Sequence, residues 1–304
     1  MRVLVLGGNG FIGSHLVDEL RAIDCRIRVF DRNPNRYQKP HPFVDYRIGA
    51  FSDSAQIAEA LQDVDIVFHL ISTSVPSTSN LDPVADINGN LVGTVQLIQQ
   101  MIKLGVKRIV YLSSGGTVYG NPTIEPVPET HPLNPICSYG VIKVAVENYL
   151  LMFKQLHAIK PVILRPSNPY GPRQGHIGVQ GVISTFLQRL KDGDRIQIWG
   201  DGSVIRDYIY ISDLVSLCVK AGFGDEVGVF NVGSGVGYSL NDLLEIIRRV
   251  SGKNLDVDYR SGRAFDVKKI TLDIIKTRIE FDWQPKTDME TGIRAHWNWL
   301  SNLD

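Results

Sequence analysis

Tyr139 and Lys143 stand four residues apart in Ser138-Tyr139-Gly140-Val141-Ile142-Lys143. On a helix, residues four apart share one face, so this spacing sets an ammonium beside a phenol. A free tyrosine ionises near pH 10 and is a poor base at neutral pH. A neighbouring cation favours the phenolate and lowers that value. Alone, Tyr-x-x-x-Lys is a frequent accident. It gains weight from Gly7-Gly8-Asn9-Gly10-Phe11-Ile12-Gly13, which follows the apolar run Val3–Leu6 and opens a helical pattern. Glycines at Gly7, Gly10 and Gly13 suit a tight βα turn, close approach of backbone to a pyrophosphate, and helix–strand packing. The phosphates of a dinucleotide would sit at the positive end of the helix begun by Phe11 and Ile12. Asp31, at the end of the second apolar run, is placed to accept from ribose hydroxyls and to repel a 2′-phosphate, which favours NAD over NADP. Arg32 beside it would tolerate that phosphate. A phenol and an ammonium next to an oxidised nicotinamide can take a proton from an alcohol while hydride leaves the same carbon.

Such residues need a scaffold, and the first half of the chain supplies one. Apolar strand runs at Val3–Leu6, Ile27–Phe30, Val44–Ile48, Ile66–Leu70, Lys107–Leu112 and Val162–Leu164 alternate with helical patterns at Phe11–Asp24, Ser54–Leu61, Asp86–Leu104 and Tyr139–His157. Short Val/Ile-rich strands alternating with helices predict an α/β fold, a Rossmann-type doubly wound parallel sheet covered on both faces. After Arg165 the pattern changes to a Gly/Pro-rich stretch, Asn168 to Gly181, then helices near Val182–Lys191, Leu240–Val250 and Met289–Leu300. This predicts a smaller C-terminal α/β substrate domain. The expected NAD-binding domain is 1–166, with returns to its sheet near 203–232 at Asp207–Tyr210 and Phe230–Val232. The expected substrate domain is 167–202 and 233–304. The helix at Tyr139–His157 carries Val141, Ile142, Val144, Val146, Leu150, Leu151 and Phe153 on more than one face. A second apolar face predicts a homodimer packed through this helix and the one near 86–104.

Composition narrows the function. Lys+Arg 32 balance Asp+Glu 32, and no basic run marks a nucleic-acid or membrane-surface protein. No apolar stretch is long enough to span a bilayer, and Met1 to Leu6 runs straight into glycines without the plan of a signal peptide. Cys25, Cys137 and Cys218 are odd in number, far apart and without metal-ligand spacing, so reduced thiols, a cytoplasmic setting and no metal are expected. No Gly-x-Ser-x-Gly elbow favours a hydrolase. His69, at the end of a buried strand, reads as a core residue, and Tyr119 as structural or substrate-lining.

Further segments carry a family resemblance. They are Asn90-Leu91-Val92-Gly93-Thr94, Ser113-Ser114-Gly115-Gly116-Thr117-Val118-Tyr119-Gly120, Asn168-Pro169-Tyr170-Gly171-Pro172-Arg173-Gln174, and Trp199-Gly200-Asp201-Gly202 followed by Arg206-Asp207-Tyr208. Arg263 and Asp266 follow late in the chain. Together with the glycine loop and the Tyr/Lys pair, they make the chain similar, over nearly its whole length, to the extended short-chain dehydrogenase/reductase family. The likeness is to NAD-dependent nucleotide-sugar epimerases of the UDP-glucose 4-epimerase type. The resemblance implies C4 epimerisation of a UDP-sugar through a transient 4-keto sugar, with Tyr139 and Lys143 catalytic. It implies NAD held by the glycine loop, Asp31, Arg32, Phe51, Leu70, Ser72, Asn90, Tyr139, Lys143 and Pro166. It implies the UDP-sugar held by Ser74, Asn168, Val182, Gln197, Trp199, Arg206, Arg263 and Asp266. Asn168 and the two arginines would take the diphosphate, Asp266 the ribose, and Gln197, Ile198 and Trp199 the uracil.

Two positions depart from the family pattern. Gly115 stands where many such epimerases have the catalytic serine or threonine, so the hydroxyl bridging substrate and Tyr139 falls to Ser114 or Thr117. Ala50 stands where an aspartate often binds adenine, which leaves backbone and Phe51. Ile270 occupies the position that gates pocket size, and UDP-glucose/galactose, their N-acetyl forms and UDP-glucuronate all stay open. Within the family, a decarboxylase, dehydratase or reductase is the alternative. Gly115-Gly116-Thr117 lacks the carboxyls of a dehydratase, and Asp31 disfavours the NADP of a reductase. A non-catalytic NAD-sensing protein on this fold would lack the Tyr/Lys pair.

Overall fold

In the computed structural model of the protein, residues 1–175, 181–261 and 267–303 are described. Arg263 and Asp266 lie outside them. The first half of the chain runs β1 (Arg2–Leu6), α1 (Phe11–Leu20), β2 (Arg26–Asp31), β3 (Val44–Ile48), α2 (Ser54–Ala60), β4 (Ile66–His69), α3 (Pro83–Asp86), a π-helical segment (Ile87–Val92), α4 (Gly93–Lys103), β5 (Arg108–Leu112), α5 (Ser138–His157) and β6 (Lys160–Pro166). It continues through β7 (Asn168–Tyr170), α6 (Val182–Asp192), β8 (Ile196–Trp199), β9 (Ile205–Tyr210), α7 (Ile211–Phe223), β10 (Gly228–Val232), β11 (Gly237–Ser239), α8 (Leu240–Ser251), β12 (Val257–Arg260), β13 (Lys269–Ile270), α9 (Ile275–Phe281) and α10 (Met289–Ser301).

Among the described residues, seven strands form the main sheet in the order β10-β6-β5-β4-β1-β2-β3. The pairings from β3 across to β6 are all parallel. Every residue of β4 and β5 is buried, as expected of strands covered on both faces. Leu4, Leu6, Leu97, Ile98, Met101 and Ile109 make the core beneath α4 and α5. Strand order reverses at β1, which has β2 on one side and β4 on the other. In doubly wound sheets the carboxyl ends of strands at such a reversal form the ligand crevice, and here Gly7 and Leu70 stand there.

The chain divides into two compact units. One comprises Met1–Val118, Pro135–Arg165 and Val215–Phe230, and the other Tyr119–Asn134, Pro166–Leu214 and Asn231–Asp304. In the second unit, β9 pairs with β7, β11 and β13, while β12 and β8 form a separate ribbon. Asp207–Tyr210 therefore does not return to the main sheet, because β9 is the centre of the second unit's own sheet. Phe230–Val232 does reach the main sheet, as edge strand β10.

Residues 119–134, expected with the first domain, are held in the second unit by buried Asn231. Its amide donates to Val127 O (2.9 Å) and Asp273 O (3.1 Å), and it accepts from the Tyr119 hydroxyl at 2.6 Å. The helix expected over Asp86–Leu104 begins earlier, at Pro83. Asp82 caps it by accepting from Ala85 N–H, and a proline at the first turn suits a helix start. The helix is then interrupted by the π segment, which unbroken apolar periodicity does not reveal.

Candidate active site

At the end of β1 the backbone turns at Gly7, with φ +80°, a region that glycine enters without strain. A Cβ on Gly13 would stand 2.1 Å from Gly7 O and 2.6 Å from Gly8 Cα. Only glycine lets α1 lie this close to the loop. Gly10 is the N-cap of α1, no side chain caps that end, and its first turn holds no acid. The first-turn N–H groups of α1, from Phe11 onward, thus have no side-chain acceptor, and with the helix dipole they suit an anion. The loop therefore fits the phosphates of a dinucleotide. Asp31 is fixed against it, accepting from Asn9 N–H at 3.0 Å and Asn33 N–H at 3.1 Å. Arg32 is exposed. Phe51 packs on the His69 ring, centroids 5.2 Å apart, and a Cβ on Gly93 would strike it at 2.8 Å. Leu70 continues β4 by donating to Leu6 O, and Pro166 is buried at the end of β6.

Tyr139 is the second residue of α5, and Lys143 lies one turn on. Lys143 is buried. Its Nζ donates to Leu112 O at 2.7 Å and lies 5.3 Å from the Tyr139 ring centroid and 4.8 Å from that of Tyr111. Burial pulls the lysine down to about 8, opposed by the carboxylates of Glu147 and Asp86. Burial pushes the Tyr139 phenol up to about 12, opposed by a hydrogen bond with Ser72. The lowered phenol expected from the sequence is not a property of the protein alone, because desolvation outweighs its polar neighbours. Further along α5, Glu147 accepts from Arg165 through Nε at 3.0 Å and Nη2 at 2.5 Å, and from the Ser113 hydroxyl, all deeply buried.

The glycine at 140 is also required. A Cβ there would meet Thr117 O at 2.9 Å, so the turn after β5 packs against the first turn of α5. Ser114 closes that turn, its carbonyl accepting from Val118 N–H at 3.2 Å. Thr117 Oγ1 is buried with no hydrogen-bond partner among the described residues. Ser114 and Thr117 thus both belong to the turn that packs against the first turn of α5.

Sequence reasoning missed Asp86. Its carboxylate accepts from Ser74 Oγ (2.6 Å), Asn90 Nδ2 (2.6 Å) and Ser138 Oγ (2.9 Å). Asn90 is committed to protein partners, accepting from Thr73 N–H at 2.9 Å and donating to Thr73 Oγ1 at 2.8 Å. Only a serine directly before Tyr139 and a run of small polar residues at 72–74 could have hinted at this cluster.

In the second unit, Asn168 Nδ2 donates to Asp207 O at 2.8 Å, and Arg206 lies on the neighbouring strand β9. Ile270 stands beside Arg206 in β13 and is buried, so the expected gate side chain points into this unit's interior. Gln197 and Trp199 are both exposed on alternate positions of β8, and Val182 opens α6 half-buried. Asp207, beside Arg206, is raised to about 6 by burial even though it accepts from Ser234, Gly235 and Leu272. Among the described residues, no group of three or more His, Cys, Asp or Glu side chains could hold a metal ion, and no helix is long and apolar enough to cross a membrane.

Known proteins share this architecture. The model of the NAD dependent epimerase/dehydratase family matches residues 3–233. A UDP-glucose 4-epimerase of Mycolicibacterium smegmatis is 36% identical over 96% of each chain. The crystal structure of UDP-glucose 4-epimerase with UDP-glucose from Thermotoga maritima superposes with a TM-score of 0.94 at 33% identity, covering 98% of both chains. That of the Thermus thermophilus UDP-glucose 4-epimerase complex with NAD gives 0.93 at 31%, covering all of both. A glycine loop shaped for a dinucleotide, a Tyr/Lys pair at the head of a helix and these matches lead to one assignment: the chain belongs to the NAD dependent epimerase/dehydratase family.

Proposed function

We propose that the protein interconverts C4 epimers of a UDP-hexose, with NAD as a bound, recycled cofactor. The observation that carries this reading is Lys143 held beside Tyr139 at the head of α5, in the unit that bears the uncapped glycine loop. Relatives described as UDP-glucose 4-epimerases, including a structure with UDP-glucose and one with NAD, support it.

Tyr139 takes the proton from the substrate's C4 hydroxyl, and Ser114 or Thr117 bridges the two oxygens. NAD, when bound, would accept hydride from C4 and return it to the opposite face, and Tyr139 gives its proton back to the C4 oxygen as the hydride returns. Asn168 and Arg206 hold the diphosphate by charge-assisted hydrogen bonds, and the sugar turns about that anchor. Moving the phenol from about 12 to neutrality requires roughly 7 kcal/mol of phenolate stabilisation. That starting value already includes Lys143, 5.3 Å from the ring, so the stabilisation falls to the positive charge that an oxidised cofactor would bring.

The test is to incubate the purified protein with UDP-glucose, UDP-N-acetylglucosamine and UDP-glucuronate separately, without added cofactor, and to resolve the products. One 4-epimer is expected, together with loss of turnover and retention of NAD in Tyr139→Phe. No epimer from any of the three after NAD is supplied, or an undiminished rate in Tyr139→Phe, overturns the reading.

We also propose that the protein pairs with a second copy through α5. Val141, Tyr149, Met152 and Leu156 form an exposed stripe on it. Val84, Ile87 and Val92 are also exposed, on the 83–92 stretch of the same unit. A continuous apolar face of this kind suits an isologous interface.

A further inference from the structure

Asp86 is 3% exposed and sits where α3 gives way to the π-helical segment. Its three donors come from three different parts of the first unit. Ser74 follows β4, Asn90 lies one turn on in the π segment, and Ser138 heads α5. A π-helical stretch is rare and concentrates at functional sites. Here it carries Asn90 onto both Asp86 and Thr73. The 72–74 segment held in this way also carries Ser72, whose hydroxyl donates to Ser74 O at 3.0 Å and hydrogen-bonds the Tyr139 phenol. The contacts close a ring, from Tyr139 through Ser72, Ser74 and Asp86 to Ser138 and back to Tyr139.

We propose that Asp86 is a positioning residue for Tyr139, its carboxylate tying the 72–74 segment to the first turn of α5 so that the phenol and its Ser72 partner keep one geometry during proton transfer. This rests on Tyr139 being the catalytic base. A buried acid whose partners are all neutral is an expensive acceptor, so a fold that needed only an acceptor would have less reason to keep the charge. That charge acts on the pair in two ways. It helps hold Lys143 protonated, and it opposes ionisation of Tyr139. The titratable groups facing the phenol are Asp86, Cys137, Lys143 and Tyr111, and Glu147 and His69 face Lys143.

The experiment compares Asp86→Asn with the parent enzyme by kcat, KM, bound NAD and the pH profile of kcat. The expected result is NAD retained, KM within about threefold, and kcat down roughly 30-fold or more, the scale of a misplaced catalytic group. The acid limb should also move about half a pH unit or more to lower pH, because the opposing charge is gone. A kcat within threefold of the parent overturns the proposal. So does a loss of kcat with the limb unmoved, which would leave Asp86 a purely structural acid. Should Asp86→Asn lose its cooperative melt, the double variant Ser74→Ala/Ser138→Ala removes two donors and keeps the carboxylate. At least about tenfold loss of kcat is expected there, and an unchanged rate overturns the proposal. Tyr139→Phe measured alongside separates the two readings, since turnover that persists in it defeats the assignment of the base, whatever Asp86 does.

Discussion

Glu147→Gln removes one charge and almost no volume, so it isolates what the buried ion pair does. Side-chain exposure is 2% at Glu147 and 4% at Arg165, which leaves neither group access to bulk water. In the variant the Arg165 guanidinium stays buried opposite a neutral amide. Removing one partner of a buried pair costs about 3–5 kcal/mol. For a body of this size each kcal/mol moves Tm by about 2–4 °C, so a fall of roughly 6–20 °C is expected. The assay is a thermal melt followed by far-UV circular dichroism, with bound NAD measured in parallel. The double variant Glu147→Leu/Arg165→Met should recover most of the loss, since apolar residues of similar volume replace such pairs at little cost. Glu147 also opposes the deprotonation of Lys143, so in active Glu147→Gln the alkaline limb of the rate profile should move to lower pH. A Tm change below about 2 °C, or a double variant no more stable than the single one, would refute this account of the pair.

Three other outcomes are expected. In Gly13→Ala the added Cβ would stand 2.1 Å from Gly7 O, so the loop must open and the protein should purify without NAD; full NAD content by absorbance after denaturation would contradict this. His69 is buried against Thr94, and burial, then Lys143, lowers it to about 3. Between pH 6.5 and 3 the unfolded chain therefore binds a proton that the folded chain refuses, and stability falls as pH falls, by up to about 1.4 kcal/mol per unit. His69→Gln should flatten that slope in urea titrations at pH 7 and pH 5, and parallel slopes would refute the assignment. Met152→Lys/Leu156→Lys places two charges on the exposed α5 stripe and should convert dimer to monomer in sedimentation velocity, and a parent already monomeric would remove the proposed pairing.

The inner strands of the main sheet were legible because they are largely apolar runs and fully buried parallel strands need such runs, as Ile66–His69 and Arg108–Leu112 show. The pairing of Lys143 with Tyr139 was legible because helical spacing alone sets it. Asp207–Tyr210 was misplaced for the same reason that the other strands were found. Its buried run reads alike in either sheet, and only pairing with β7, β11 and β13 decides between them. The site of residues 119–134 depends on Asn231, more than a hundred positions away in sequence. Asp86 was invisible because its partners converge only after a helix irregularity that no periodicity encodes. Ile270 matched a family position, yet its place in β13 buries it.

The chain passes between its two units after residues 118, 134, 165, 214 and 230. Neither unit is a continuous stretch of polypeptide, so the second unit cannot be exchanged between relatives as a cassette with a single junction. A chimaera made by cutting near 166 would carry off α7 and edge strand β10, which belong to the main sheet's side, and would leave behind residues 119–134, which Asn231 anchors on the other. New specificity in this architecture has to be grafted segment by segment, and truncation from the C-terminus past β10 removes a strand of the cofactor sheet long before it reaches the cofactor loop.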